Sequence, residues 1–267
     1  MTFHDRLLAR ASSLGSICVG IDPHPGVMDA WGVSYDLAGL ERVAMGTVEA
    51  LGDHVTAFKP QSAFFEQWGS AGIAVLERCI TEIRSGGGLV ILDVKRGDIG
   101  STMEAYAQAY LGEGPLSVDA ITISPYLGFG SLTPAFDLAE ANDRGVYVLA
   151  RTSNPEGGDI QLGSTSLGTP VAQSIVDNAT QRNHSTGLDA IGLVVGGTHE
   201  TLRIDLSWYS GSILVPGIGV QGGTISGLAS SFAETSALLV PSVSREVLNA
   251  GPNPQALQEA VERVLAS

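Results

Sequence analysis

With 267 residues, 44% of them hydrophobic and 16% charged, the chain suits one large α/β barrel or two ordinary domains, and its charged fraction lies below the usual value of about 25%. A formal charge of -14 argues against sequence-independent nucleic-acid binding and against docking on an anionic membrane, so an anionic substrate would need a local cationic pocket. Cys18 and Cys79 read as buried thiols in a reducing compartment. The segment around Arg6 and Arg10 is too broken for a signal-peptide core, and no apolar run reaches the roughly 18 residues of a membrane span. The expected location is the cytoplasm.

In chain order, SICVGID (16–22) is a short apolar strand ending in Asp22, followed by the loop residues Pro23, His24, Pro25 and Gly26. Leu37, Leu40, Val43, Ala44, Val48 and Leu51 recur at helical spacing, and VTAFKPQ (55–61) is a second strand carrying Lys59 near its end. A helix over 67–84 stops at Gly86, Gly87 and Gly88. These glycines precede a strand and lack a following Gly-Lys-Ser/Thr, which argues against a phosphate loop. The third strand opens LVILDVKRGDIGST (89–102) and is apolar on both faces, as in a parallel sheet. A helix over 100–111 follows. Strand-like runs recur at 119–124, 145–150, 190–196, 212–218 and 236–241, each with a helix expected behind it. Eight such units predict an α/β fold, a single (β/α)8 TIM barrel covering residues 1–267, with function at the strands' carboxyl ends. A doubly wound open sheet is the alternative, since spacing alone cannot show closure.

Polar residues collect at those ends: Asp22, Lys59, Asp93 with Lys95 and Asp98, Ser124, then Thr152, Ser153 and Asn154. Period-two alternation puts Asp93 and Lys95 on one face, with Asp98 where the chain turns out. Two acids and an ammonium there are costly to bury unless they neutralise one another, which fits either a structural ion pair or a catalytic site. Flanking acids keep a lysine protonated, so Lys95 suits a proton donor better than a Schiff base. Such a site favours loss of CO2 and protonation of the carbanion left behind, with no electron-sink cofactor required.

Residues 155–169 (PEGGDIQLGSTSLGT) are longer than the usual connection of about two to six residues, which fits a lid or a surface loop. PGIGVQGG (216–223) contains G-x-G-x-x-G, but it lies far from the first βα unit, where a dinucleotide fingerprint belongs. After strand seven of a barrel it suits a phosphate site instead. Gly219 would form the loop, Gln221 would donate side-chain hydrogen bonds, and Arg245 would offer a guanidinium fork unless it is a helix-surface charge. The five histidines show no metal-ligand spacing.

The segments FKPQ, DVKRGDIGST, TSNP and PGxGxQGG together resemble the bacterial type 2 branch of orotidine 5′-phosphate decarboxylase, in the right order over essentially the whole chain. The DxKxxD core alone is shared with related sugar-phosphate decarboxylases and synthases. The resemblance implies cofactor-independent, metal-free conversion of orotidine monophosphate to UMP and CO2 in pyrimidine synthesis, by a homodimer of (β/α)8 barrels. It further implies that Lys95 is the proton donor, that Asp93 faces the substrate carboxyl group, and that Lys59 pairs with Asp93 and touches the ribose. Asp22 would bind a ribose hydroxyl and Ser153 the pyrimidine edge, while Gln221 and Arg245 would hold the phosphate. Asp98 and Thr102 would reach the neighbouring protomer's site. The segment PSVSR (241–245) fits the pattern less tightly, so the register that puts Arg245 on the phosphate is a choice of alignment.

Overall fold

The computed structural model describes residues 1–219 and 222–267. Its eight strands are β1 (Cys18–Ile21), β2 (Ala57–Pro60), β3 (Ile91–Arg96), β4 (Ala120–Ile123), β5 (Gly145–Arg151), β6 (Ile191–Val195), β7 (Ser212–Pro216) and β8 (Leu238–Val243). All pair in parallel, in the order β2-β1-β8-β7-β6-β5-β4-β3. The bridges Phe58↔Val90 and Gln61↔Asp93 join the two ends of that order, so the sheet closes on itself. The fold is the (β/α)8 barrel, and the open-sheet alternative falls away.

Helices Leu37–Leu51, Gly69–Ser85, Gly100–Leu111, Thr133–Ala141 and Val171–Thr186 follow the first five strands. Ile225–Ser231 follows β7, and Arg245–Leu248 with Pro254–Leu265 follows β8. Local chemistry sets several starts. The Asp36 side chain accepts from Gly39 N at 2.9 Å, and Asn253 caps the last helix.

The helix expected after β6 does not form. Residues 196–211 run through turns and bends, burying Leu202, Leu206 and Tyr209 without a helical stripe. The 155–169 segment is likewise more than loop: it holds a short helix, Gly157–Gln161, and an antiparallel bridge from Ser164 to Pro170.

Two apolar layers build the core. Alternate strand residues such as Val19, Phe58, Leu92 and Leu193 face the surrounding helices. The opposite set, including Cys18, Ala57, Ile91, Ala120 and Tyr147, fills the lower barrel. The N-terminal helix, Phe3–Leu14, plugs that end with Phe3 and Leu7. Two residues further along the same faces stand Lys59, Asp93, Thr122 and Ser242. The period of two that fills the bottom with hydrocarbon therefore fills the top with polar groups. Cys18 and Cys79 are free and buried, and burial pushes both thiols up to about 12.

Candidate active site

Asp93 is the hub of the upper layer. Its Oδ1 accepts from Lys95 Nζ at 2.6 Å and from Thr122 Oγ1 at 2.7 Å. Its Oδ2 accepts from Lys59 Nζ at 3.3 Å and from Gln61 Nε2 at 3.0 Å. Lys59 also stands 4.0 Å from Asp22 Oδ1. Burial by itself would raise the Asp93 carboxyl, but the charges of Lys59 and Lys95 and the hydrogen bonds from Lys95 and Thr122 hold it well below the usual carboxylate range. Burial likewise works against the Lys59 ammonium, and Asp22 and Asp93 overcome it and push that group up. Asp93 and Lys59 are thus both ionised at neutral pH.

The two lysines are not equivalent. The Lys59 side chain is 9% exposed, whereas that of Lys95 is 48% exposed. A break in the strand produces this difference. The β3–β4 register shifts between Leu92 and Arg96, and Lys95 takes φ +44°, a left-handed conformation rare for a side chain of its size. Thr122 Oγ1 satisfies the Lys95 amide at 3.0 Å. Lys95 and Asp93 meet as the sequence leads one to expect, but through this irregularity and not through plain alternation. Arg96 is drawn the other way, to Glu66 Oε1 at 2.6 Å.

Two cavities open above the network. One, of about 450 Å³, is lined by Asp93, Lys95, Leu149, Ser153 and Gln161 among others. A smaller one, of about 140 Å³, is lined by Asp22, Gly217, Ser242, Ser244, Arg245 and Glu246. Lys59 and Pro216 belong to both, which makes them two ends of one cleft. The larger end suits a polar ring and the smaller an anion held by Arg245.

Gly217, Gly219 and Gly222 all have positive φ, and a Cβ on Gly219 would lie 3.0 Å from Glu246 Cβ. The loop spends several amides on itself: Gly219 N donates to Gly223 O at 2.9 Å and Gly223 N to Gly217 O at 3.0 Å. Gly219 therefore shapes the turn, with its own amide engaged by Gly223 O. Gln221 lies outside the described residues.

Asp98 and Thr102 stand apart from the cleft they follow in sequence. Asp98 Oδ1 accepts from the Ile99 amide at 2.8 Å, and Thr102 is exposed on the helix Gly100–Leu111. Ile99, next to Asp98, is exposed, and so are Tyr126 and Leu127 on the following loop, after β4.

Gln61, Thr122 and Gln161 line the cleft and were not singled out by the sequence reading. The β4 residue in the network is Thr122, whereas the sequence pointed to Ser124, whose amide bonds Arg96 O. The signal was present, because Thr122 is a lone polar side chain between Ile121 and Ile123. Gln61 was equally legible, two positions beyond Lys59. Gln161 was not, because its partners lie outside the 155–169 segment: its Oε1 accepts from Thr152 N at 3.0 Å and Arg151 Nη1 at 3.3 Å, and its Nε2 donates to Thr152 Oγ1 at 2.7 Å.

Residues 15–260 match the family described as Orotidine 5′-phosphate decarboxylase / HUMPS. An orotidine 5′-phosphate decarboxylase of Salinispora arenicola is 51% identical over 267 residues, spanning 99% of this chain and 96% of its own. One from Streptomyces coelicolor is 47% identical, spanning 98% and 95%. A crystal structure from Streptomyces avermitilis aligns at a TM-score of 0.91 with 47% identity, over 99% of this chain and 94% of that one. The Leishmania donovani OMP decarboxylase structure gives 0.77 at 30% identity, over 100% and 98%. A closed parallel barrel with a charged mouth, matched from end to end by these relatives, places the chain in the orotidine 5′-phosphate decarboxylase / HUMPS family.

Proposed function

We propose that this protein converts orotidine 5′-monophosphate to UMP and CO2 in pyrimidine biosynthesis, without metal or cofactor, as a cytoplasmic enzyme whose residues 1–267 form one barrel domain. The observation that carries this reading is the Asp93 carboxylate clamped between buried Lys59 and cavity-facing Lys95. An anionic group placed over Asp93 meets a fixed negative charge, while the neighbouring carbon meets the Lys95 ammonium. As the bond from that carbon to the carboxylate breaks, its electron pair stays on the ring carbon, where Lys95 stabilises it and then delivers a proton. The lysine takes a replacement proton from solvent. Electrostatic preorganisation does this work because the charges already hold their positions before the substrate arrives.

The remaining roles follow the cleft. Asp22 and Lys59 hold the ribose, Ser153 reads the pyrimidine edge, and Arg245 with Gln221 grips the phosphate in the loop shaped by Gly219. Asp98 and Thr102 complete the site of a second protomer, and the exposed Ile99 beside Asp98 supports a homodimer contact there. The acidic chain, at a formal charge of -14, speaks against a nucleic-acid partner, and among the described residues no helix is long and apolar enough to cross a membrane.

The family also takes in sugar-phosphate enzymes, so the deciding experiment is CO2 release from orotidine monophosphate in the presence of a chelator. Turnover at the untreated rate supports the reading. UMP binding without CO2 release in a single turnover would make the protein a nucleotide-binding barrel instead.

A further inference from the structure

Three side-chain atoms near the carboxyl ends of β1 and β8 are buried without a hydrogen-bond partner among the described residues: Asp22 Oδ1, His24 Nε2 and Ser244 Oγ. Asp22 has the Lys59 ammonium at 4.0 Å, and the His24 ring lies beside Phe64, at a centroid distance of 6.2 Å. Among the described residues Ser244 enters no ion pair and no hydrogen bond through its side chain.

Ser244 precedes the short helix Arg245–Leu248, a position where a serine hydroxyl ordinarily accepts from an amide two or three residues on. Its side chain makes no such bond, and the helix start is closed by the Ser244 carbonyl, which accepts from Val247 N at 3.0 Å and Leu248 N at 2.8 Å. The hydroxyl is therefore not consumed in building the fold. A Cβ on Gly20 would lie 3.0 Å from Ser244 Cβ and 3.1 Å from Asp22 Oδ2, so the two side chains flank the same glycine. Both line the smaller end of the cleft with Arg245.

A buried hydroxyl without a partner lowers stability, and a bound acceptor removes that penalty. The other charged side chains at this end are unevenly suited to an anion. Asp22 and Glu246 oppose a phosphate, and Lys59 is engaged by Asp93. A neutral donor adds affinity here without disturbing the charge network.

We infer that the Ser244 hydroxyl is a further substrate-binding group, donating a hydrogen bond to the phosphoester end of the nucleotide between Asp22 and Arg245. The assignment rests on the nucleotide reading proposed above. Its test is the kinetics of Ser244→Ala and Ser244→Thr on orotidine monophosphate and on the phosphate-free nucleoside. Loss of one bond to a charged oxygen predicts about a tenfold drop in kcat/KM for the nucleotide in the alanine variant, mostly through KM. The preference for nucleotide over nucleoside should fall by the same factor, and threonine should restore most of it. Wild-type kcat/KM in Ser244→Ala, or an equal loss on nucleotide and nucleoside, overturns the assignment. A wild-type protein inert on orotidine monophosphate overturns the functional reading instead.

Discussion

At the scale of single residues, Lys95 and Asp93 differ in exposure, 48% against 9% for their side chains, and the proposed roles follow that difference. Lys95 faces the cleft and Asp93 lies beneath it, so Lys95→Ala should abolish CO2 release while UMP still binds; equilibrium binding alongside a turnover assay separates the two. Arg245 lines the far end, where the proposed phosphate grip would use binding energy to close the site and exclude water. Arg245→Ala is expected to lower kcat/KM at least tenfold, and an unchanged value would show that another group grips the phosphate. Asp93 also links stability to pH. Because its folded-state pKa is depressed, its ionisation contributes stability that is fully present above an unfolded value near 3.9 and is lost as pH falls through the depressed value. Urea unfolding between about pH 4 and pH 2 should therefore weaken more steeply in wild type than in Asp93→Asn.

At the scale of elements, Arg10 on the N-terminal helix ties the bottom of the barrel together. Its guanidinium donates to the carbonyls of Thr56, Gly87, Gly52 and Val55 at 2.8–3.0 Å. Removing that fork leaves several carbonyls without their donor, so Arg10→Ala should cost about 2–4 kcal/mol in urea unfolding. Arg10→Lys should recover only part, since one ammonium cannot span the same arc. Arg6 reinforces this end through Asp119. The 155–169 segment is held differently. Gln161 pins it to Thr152 and Arg151, and Gln161→Ala is expected to speed amide exchange across residues 155–169 while leaving the barrel strands protected.

At the scale of the whole molecule, the proposed function would have two copies of the chain share each site. Each would combine its own Lys95 with Asp98 of the other protomer. Lys95→Ala and Asp98→Ala homodimers should both be nearly inactive, yet hybrids contain one intact site. Random exchange should thus restore about a quarter of wild-type activity. No recovery on mixing, with exchange verified by mass, would mean that Asp98 serves its own barrel, and an active Asp98→Ala homodimer would mean that it serves neither.

The strands were legible in the sequence because short apolar runs that end in charge are too brief for buried helices and suit the doubly covered strands of a parallel sheet. For the same reason Asp22, Lys59, Asp93 and Lys95 could be named as a mouth before their distances were known. Tertiary structure alone decided closure, since the β2–β3 seam joins Phe58 to Val90 and Gln61 to Asp93 across segments that no periodicity relates. It also decided that 196–211 would remain without a helix and that Thr122, not Ser124, would enter the charge network. The same holds for the DVKRGD motif. Its residue types announced an ion network, but which ammonium faces the cleft goes with the irregularity at Lys95, where the left-handed backbone and the amide bond to the Thr122 hydroxyl depend on β4, a partner that the motif does not contain.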